Sequence, residues 1–352
     1  MRDTKTRVRL ADVAARVGVS LATASMALTG KGRISAEVRE QVLAAARAVG
    51  YRRRGLPAGP ERVHNVCILH HQDKDFEWNF IRPILFNLED MLLEHDLLPI
   101  LLPVRVGADA ERVFQRVLAA GAGAVFSIHF HDESLFERLE KRGVRVVIVN
   151  NTNLQSRFHS VCVDDFQGAY EGCLHLLKLG HRGILYVEYE RPELPAVVAD
   201  RFIGFRKALE EHGVPFPAGR RVTLRTINRR ELASRLRAAF APASSSGSPR
   251  GTRPTAIFAH DDYLASYVYD CLRELGLQVP EEVSLIAPGD VLDYAEPCTP
   301  PITTMRINTA SLGILAGRLL LDLLKGQIHD VHVLKLKQQL VRRGTCARPA
   351  QA

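Results

Sequence analysis

The residue types best suited to holding a small polar molecule recur where apolar runs end. They are His71, Asp73, Phe76, Trp78, His129 and Asn150 in one stretch, then Glu190, Arg201, His260 and Asp290 in the next. Aromatic rings pack on sugar-like faces, and Asn, Asp and Arg exchange hydrogen bonds with hydroxyl groups. Other chemistries find less support. The thirteen histidines include His129 and His131 on one face of a strand, and His70 and His71 at the end of another. No H-E-x-x-H or comparable ligand spacing occurs, so no metal is expected. Cys67, Cys162, Cys173, Cys271, Cys298 and Cys346 are far apart and form no C-x-x-C pair. They read as reduced thiols, mostly in the core of a cytoplasmic protein. No G-x-G-x-x-G follows a strand; "GAGAVF" at Gly121–Phe126 lacks the spacing, and neither G-x-x-x-x-G-K-[ST] nor G-x-S-x-G occurs. No nucleophile, base and orienting group can be assembled from spacing, so neither an enzyme nor a cofactor is expected.

The candidate residues depend on elements visible in the hydropathy pattern. After residue 62, apolar runs such as "VCILHH", "LLPILLPV", "AVFSIHF" and "VRVVIVNN" alternate with helical patterns. A second series follows from His159: "HSVCVDD", "GILYVEY", "RVTLRT", "TAIFAH" and "VSLIAP", again separated by helices. Continuous apolar strands alternating with helices predict parallel sheets covered on both faces. Two doubly wound halves are therefore expected, with strand C-termini opening into a cleft between them. "APASSSGSPRGTRP" (Ala241–Pro254) reads as a flexible surface loop.

The N-terminal segment differs in charge. The chain has a formal net charge of +8, and the balance of residues 1–62 alone accounts for it. A small basic module on a neutral body points to a polyanion, most simply nucleic acid. Leu10, Val13, Ala14 and Val17 share one helical face, and Gly18 can end that helix in the left-handed region. Ser20 is a suitable N-cap for a second helix with Leu21, Ala24 and Leu28 on one side. Ser35 caps a third, with Val38, Val42, Leu43 and Ala46 facing inward. Two short helices around a Gly turn predict a helix-turn-helix whose second helix can enter a major groove. That places Ser20, Leu21, Ala22, Thr23, Ser25, Met26 and, beyond them, Arg33 toward double-stranded DNA. No apolar run resembles a signal peptide or reaches a membrane span, so no membrane role is expected.

The N-terminal segment resembles the DNA-binding headpiece of the LacI/GalR family of bacterial transcription regulators. The resemblance rests on Leu10-Ala11-Asp12-Val13-Ala14, Gly18-Val19-Ser20, Ala22-Thr23, Gly32-Arg33-Ile34-Ser35, Val42-Leu43-Ala44-Ala45-Ala46 and Gly50-Tyr51. The body resembles the same family at Val163-Asp164-Asp165, Leu179-Gly180-His181-Arg182, Arg201-Phe202-Ile203-Gly204-Phe205, Val279-Pro280-Glu281 and Pro301-Ile302-Thr303-Thr304. The resemblance implies an N-terminal all-α helix-turn-helix headpiece and an α/β core of two doubly wound parallel-sheet subdomains, like the type I periplasmic binding proteins. It assigns 1–51 to the headpiece, 52–62 to a linker and 63–345 to the core. One subdomain is expected at about 63–158 plus 292–326, the other at about 159–291 plus 327–345.

The resemblance further implies an effector-controlled repressor, homodimeric on a palindromic operator, with Arg201 touching a sugar or related metabolite. Several positions depart from the family pattern. Met26 stands where many relatives have Arg and Thr29 where they have Asn; Leu21, Ala22 and Met26 offer few hydrogen bonds, which shifts readout toward thymine methyls and DNA shape. His260 and Gly289 replace a frequent Asn and Asp. The linker "YRRRGLPAGPERVH" contains Gly55, Pro57, Gly59 and Pro60, which oppose a hinge helix. Arg52, Arg53 and Arg54 are expected to follow phosphates or a narrow minor groove instead. Alternatives at this stage are a cytoplasmic solute-binding protein and a two-lobed α/β enzyme without a DNA role.

Overall fold

The structure is a computed structural model that describes residues 10–29, 34–48, 64–71, 78–105, 107–191, 194–241, 253–297 and 299–350. The chain divides into two compact units, Met1–Glu61 and Arg62–Ala352. In the smaller unit, α1 (Leu10–Val17), α2 (Leu21–Thr29) and α3 (Ala36–Ala48) enclose a core of Val13, Ala14, Ala24, Ala27, Val42, Ala45 and Ala46. Small side chains on α2 let the helices approach closely. Gly18 has φ +74°, with nothing near the position of a Cβ, so backbone conformation and not space demands glycine there. Ser20 and Ser35 cap α2 and α3, accepting from Thr23 N at 3.0 Å and Val38 N at 3.3 Å. One inward residue is corrected: Leu21 is 55% exposed, and Ala24 with Ala27 forms the buried stripe of α2.

The larger unit holds two six-stranded sheets. The first has the order β11-β5-β4-β3-β1-β2, from β1 (Asn65–His71), β2 (Leu98–Val104), β3 (Ala122–Ile128), β4 (Arg145–Val149), β5 (His159–Val163) and β11 (Val333–Leu336). Its strands alternate between two cores. Val66 and Ile68 pack under α4 (Trp78–Leu93) and α11 (Thr309–Leu324), while Cys67 and Leu69 pack under α5 (Ala110–Ala119) and α6 (Glu133–Lys141). The second sheet has the order β12-β10-β9-β8-β6-β7. Its strands are β6 (Ile184–Tyr189), β7 (Arg221–Leu224), β8 (Ala256–Ala259), β9 (Ser284–Gly289), β10 (Thr303–Arg306) and β12 (Gln339–Val341). The helices α7 (Asp165–Leu179) and α8 (Pro195–Glu211) cover one face; α9 (Arg229–Phe240) and α10 (Asp262–Glu274) cover the other. All pairings are parallel except β10 with β12. Cys67, Cys162, Cys173 and Cys271 are buried free thiols.

The subdomain boundaries expected from the sequence need correction. β5 pairs with β4, so the first crossing between sheets follows Val163, not Phe158. β10 pairs with β9 in the second sheet, which moves the second crossing to Ile307–Asn308, ahead of α11. β11 pairs with β5 in the first sheet, and the third crossing falls at Lys337–Gln338. Hydropathy marks a strand but does not name the neighbour that satisfies its backbone N–H and C=O groups. β11 is a half-exposed edge of four residues and carries little hydropathic signal.

Candidate functional site

In the small unit, α1 and α2 are bent by 102° about the Gly18–Ser20 turn, an angle typical of DNA-reading helix pairs. Ser20, Leu21, Ala22 and Met26 are exposed, and Thr23 and Ser25 are half-buried. The Ser20 and Thr23 hydroxyls lie 2.8 Å apart and serve the cap. The exposed face of α2 therefore offers mainly methyl and methylene groups. Arg33, Arg52, Arg53 and Arg54 lie outside the described residues, as does the whole 52–62 linker.

Within the large unit, a cavity partly open to solvent lies where the C-terminal ends of both sheets meet. From the first sheet it receives His129 and Asn150, which directly follow β3 and β4 with φ of +60° and +54°. A left-handed residue at a strand end turns the chain sharply; such strained positions concentrate at functional sites, and His and Asn tolerate them better than most. Asn150 Nδ2 lies 2.8 Å from His129 Nε2, and the His129 ring lies 5.1 Å from that of Phe80. Asn150 Oδ1 is buried and makes no hydrogen bond among the described residues.

The second sheet contributes Arg201 and His260. Leu194, Val197 and Arg201 form one face along α8 toward the cavity. Arg201 donates from Nε to Asp165 Oδ1 at 2.7 Å and from Nη1 to the His260 carbonyl at 2.8 Å. Burial opposes its charge, but the Asp165 carboxylate outweighs that and holds the guanidinium pKa above its usual range. Burial, then Arg201 and Arg191, press the His260 pKa well below normal, so its imidazole is neutral. His260 Nδ1 has no hydrogen-bond partner among the described residues. Asp261 caps α10 through Leu264 N at 2.7 Å and accepts from Tyr189 Oη at 2.7 Å.

Of the residues singled out from sequence, His129, Asn150, Arg201 and His260 meet at this cavity. The others described do not line it. His71 packs 5.8 Å from the Phe130 ring, and Trp78 is 45% exposed, 6.5 Å from His70. Glu190 is exposed. Asp290 has φ +74° and turns toward Thr304, Arg306 and Arg343, where those partners, working against burial, lower its pKa. Asp73 and Phe76 lie outside the described residues. Sequence reasoning missed Phe80, Arg191 and Asp262, and marked Gly289 only as a departure from the family pattern. The adjacency of Asp262 to His260 and Asp261 was the available signal. Among the described residues no cluster of His, Cys, Asp or Glu could hold a metal ion, and no single helix is long and apolar enough to cross a membrane.

Comparison with known proteins follows the same division of the chain. Residues 9–54 match the bacterial regulatory proteins of the lacI family, and residues 173–346 match the periplasmic binding protein-like domain. The HTH-type transcriptional regulator reg1 of Streptomyces lividans is 28% identical over 350 residues, covering 96% of each chain. The regulator MalR of Streptomyces coelicolor is 26% identical, again over 96% of each. Among solved structures, the CelR–cellobiose complex shares the fold with a TM-score of 0.68 at 24% identity, covering 96% of this chain and 100% of that one. The lac repressor dimer bound to operator and the anti-inducer ONPF gives 0.66 at 19%, covering 97% and 100%. A helix-turn-helix unit joined to a two-sheet binding-protein core defines a DNA-binding transcription regulator. The chain belongs to the LacI/GalR family of bacterial transcription regulators.

Proposed function

We propose that the protein is a cytoplasmic repressor that binds a palindromic operator as a homodimer and is controlled by a neutral, hydroxyl-rich small molecule held in the core cavity. The observation that carries the effector reading is the cavity wall. Asn150 Oδ1, His260 Nδ1 and Asp262 Oδ1 are buried without hydrogen-bond partners among the described residues, and all three residues line the same space. Unpaired buried polar atoms cost about 1–3 kcal/mol each, and a ligand with several hydroxyl groups would recover that cost. Phe80 and Tyr263 supply aromatic surface beside them. The cellobiose in the CelR complex and the ribose in a relative from Enterococcus faecium support a carbohydrate.

The dimer reading draws on α4 and the edge strand β2, where Phe86, Leu93, Leu98 and Leu101 are exposed. An apolar edge of this kind is normally covered in solution. Two headpieces held together gain operator affinity through effective concentration. Effector occupancy would reach the DNA through the crossings. Arg201 on the cavity wall pairs with Asp165 at the first crossing, and Gln338 from the third crossing approaches Asp165 Oδ1 at 3.4 Å. A ligand that draws on Arg201 therefore acts on two of the three connections between the sheets. A thermal-shift screen of sugars, sugar acids and purines on the full chain tests the reading, because a ligand that binds only the folded state raises the melting temperature. Stabilisation by a neutral sugar that also alters operator binding supports it; no stabilisation across the screen overturns it.

A further inference from the structure

Asp262 is the first residue of α10 and is fully buried. It is not needed as the helix cap, since Asp261 already accepts from Leu264 N. Its Oδ2 is fixed by three donors: Val291 N at 2.8 Å, Leu292 N at 3.2 Å and Tyr294 Oη at 3.3 Å. Its Oδ1 has no hydrogen-bond partner among the described residues. A Cβ placed on Gly289 would lie 2.2 Å from that oxygen. Asp262 Oδ1 thus fills the space where a side chain at 289 would begin. Both residues line the cavity. Glycine at 289 opens a notch in the wall, and through it a helix-borne carboxylate reaches the ligand space.

We propose that Asp262 is the specificity-determining acceptor of this pocket, with Oδ1 taking a hydrogen bond from a hydroxyl of a neutral ligand and excluding ligands that bring a carboxylate to the same place. This rests on the reading of the cavity as the effector site. An ionised carboxylate accepts only, so it matches a donor and repels a second carboxylate in a buried setting. Of the cations around the cavity, Arg201 is met by Asp165 and Arg191 donates to Tyr189 Oη at 3.1 Å, while His260 is neutral. Burial lifts the Asp262 pKa to about 6, so the group is mostly ionised at neutral pH and would be stabilised by a donor. A ligand lacking the matching hydroxyl leaves the oxygen unpaired, the form of discrimination that polar sites enforce most strongly.

The test uses the full chain with ribose, glucose, galactose and cellobiose, and with gluconate and glucuronate as acidic counterparts. Melting shifts locate the sugar bound by the wild type; titration calorimetry then compares it with Asp262→Asn, whose amide oxygen can still serve the Val291 and Leu292 N–H groups. The expected result is a loss of roughly ten- to a hundredfold in affinity for the neutral sugar. A series of singly deoxygenated analogues supplies a second measurement that needs no variant. In the wild type one position should show a loss of the same size, and in Asp262→Asn that position should show none. Equal affinity in a folded Asp262→Asn protein or a flat deoxy series overturns the assignment while leaving the effector reading intact; tighter binding of the acidic counterpart overturns the assignment and, with it, the neutrality of the effector. No binder in the panel overturns both.

Discussion

The exposed face of α2 and the wall of the core cavity handle hydrogen bonding in opposite ways. At the start of α2 the Ser20 and Thr23 hydroxyls pair with each other in the helix cap, and Leu21 and Met26 present apolar surface at 55% and 39% exposure. In the cavity, buried Asn150, His260 and Asp262 each keep an atom without a partner among the described residues. A surface with few donors can read its target through methyl contacts, shape and phosphate charge. A wall of unpaired buried atoms reads individual hydroxyl groups. Recognition of the long, uniform partner is spread across a surface, and recognition of the small one is concentrated in a few atoms.

The largest expected effect breaks the comparison at its root. Removal of residues 1–62, which carry the net positive charge, should abolish operator binding while the remaining core keeps its melting transition and its ligand. Electrophoretic shift assays and calorimetry on the two proteins check this, and full-length binding should weaken steeply with salt as counterion release predicts. Next in size is Arg201→Ala. The substitution leaves Asp165 buried without its cation, so a loss of about 3–5 kcal/mol in stability is expected together with loss of ligand affinity. Denaturant unfolding measures the first. A change below about 1 kcal/mol would show that the pair is not held as described.

How much of this contrast was legible beforehand follows from what each signal measures. Caps and small residues gave α1 to α3, because Ser20, Ser35 and Gly18 act on their own neighbours in sequence. The rule that ligands meet strand C-termini found His129, Asn150 and His260. The same rule pointed to Asp290, which fails because its left-handed backbone turns the carboxylate toward Arg306 and Arg343. Asp262 was hidden because it reads as an ordinary first-turn helix residue; its role depends on Gly289, 27 positions away by numbering and brought close only by the packing of β9 against α10. The β5 and β11 assignments were out of reach for a related reason: strand partners are a property of the sheet, not of the strand.

Smaller effects sharpen the contrast. Met26→Arg adds donors to the apolar face of α2 and should shift base preference by about 1–3 kcal/mol at one position, measured by binding to a randomised half-site library. The pH dependence of stability isolates Asp262. Its carboxyl is pushed up to about 6 by burial, from an ordinary 3.8, so the folded state holds a proton that the unfolded state releases in that window. Its contribution is therefore favourable below about pH 4 and lost as pH rises through 6. The melting temperature of Asp262→Asn minus that of wild type should increase from pH 4 to pH 7, and a bound neutral sugar should reduce that difference. Smallest is Gly18→Ala, which meets no steric obstacle but must adopt φ +74°, at a cost of about 1–2 kcal/mol that thermal unfolding of the isolated headpiece can read.

The central claim is that one protein couples these two kinds of recognition. Its most direct test is the operator affinity of the full chain, measured by fluorescence anisotropy on a palindrome selected from random DNA, with and without the neutral sugar found in the thermal screen. The account predicts a change of at least about fivefold in operator affinity, matched by an equal and reciprocal change in sugar affinity when operator is present. Operator affinity that stays constant while the cavity fills with sugar would contradict it.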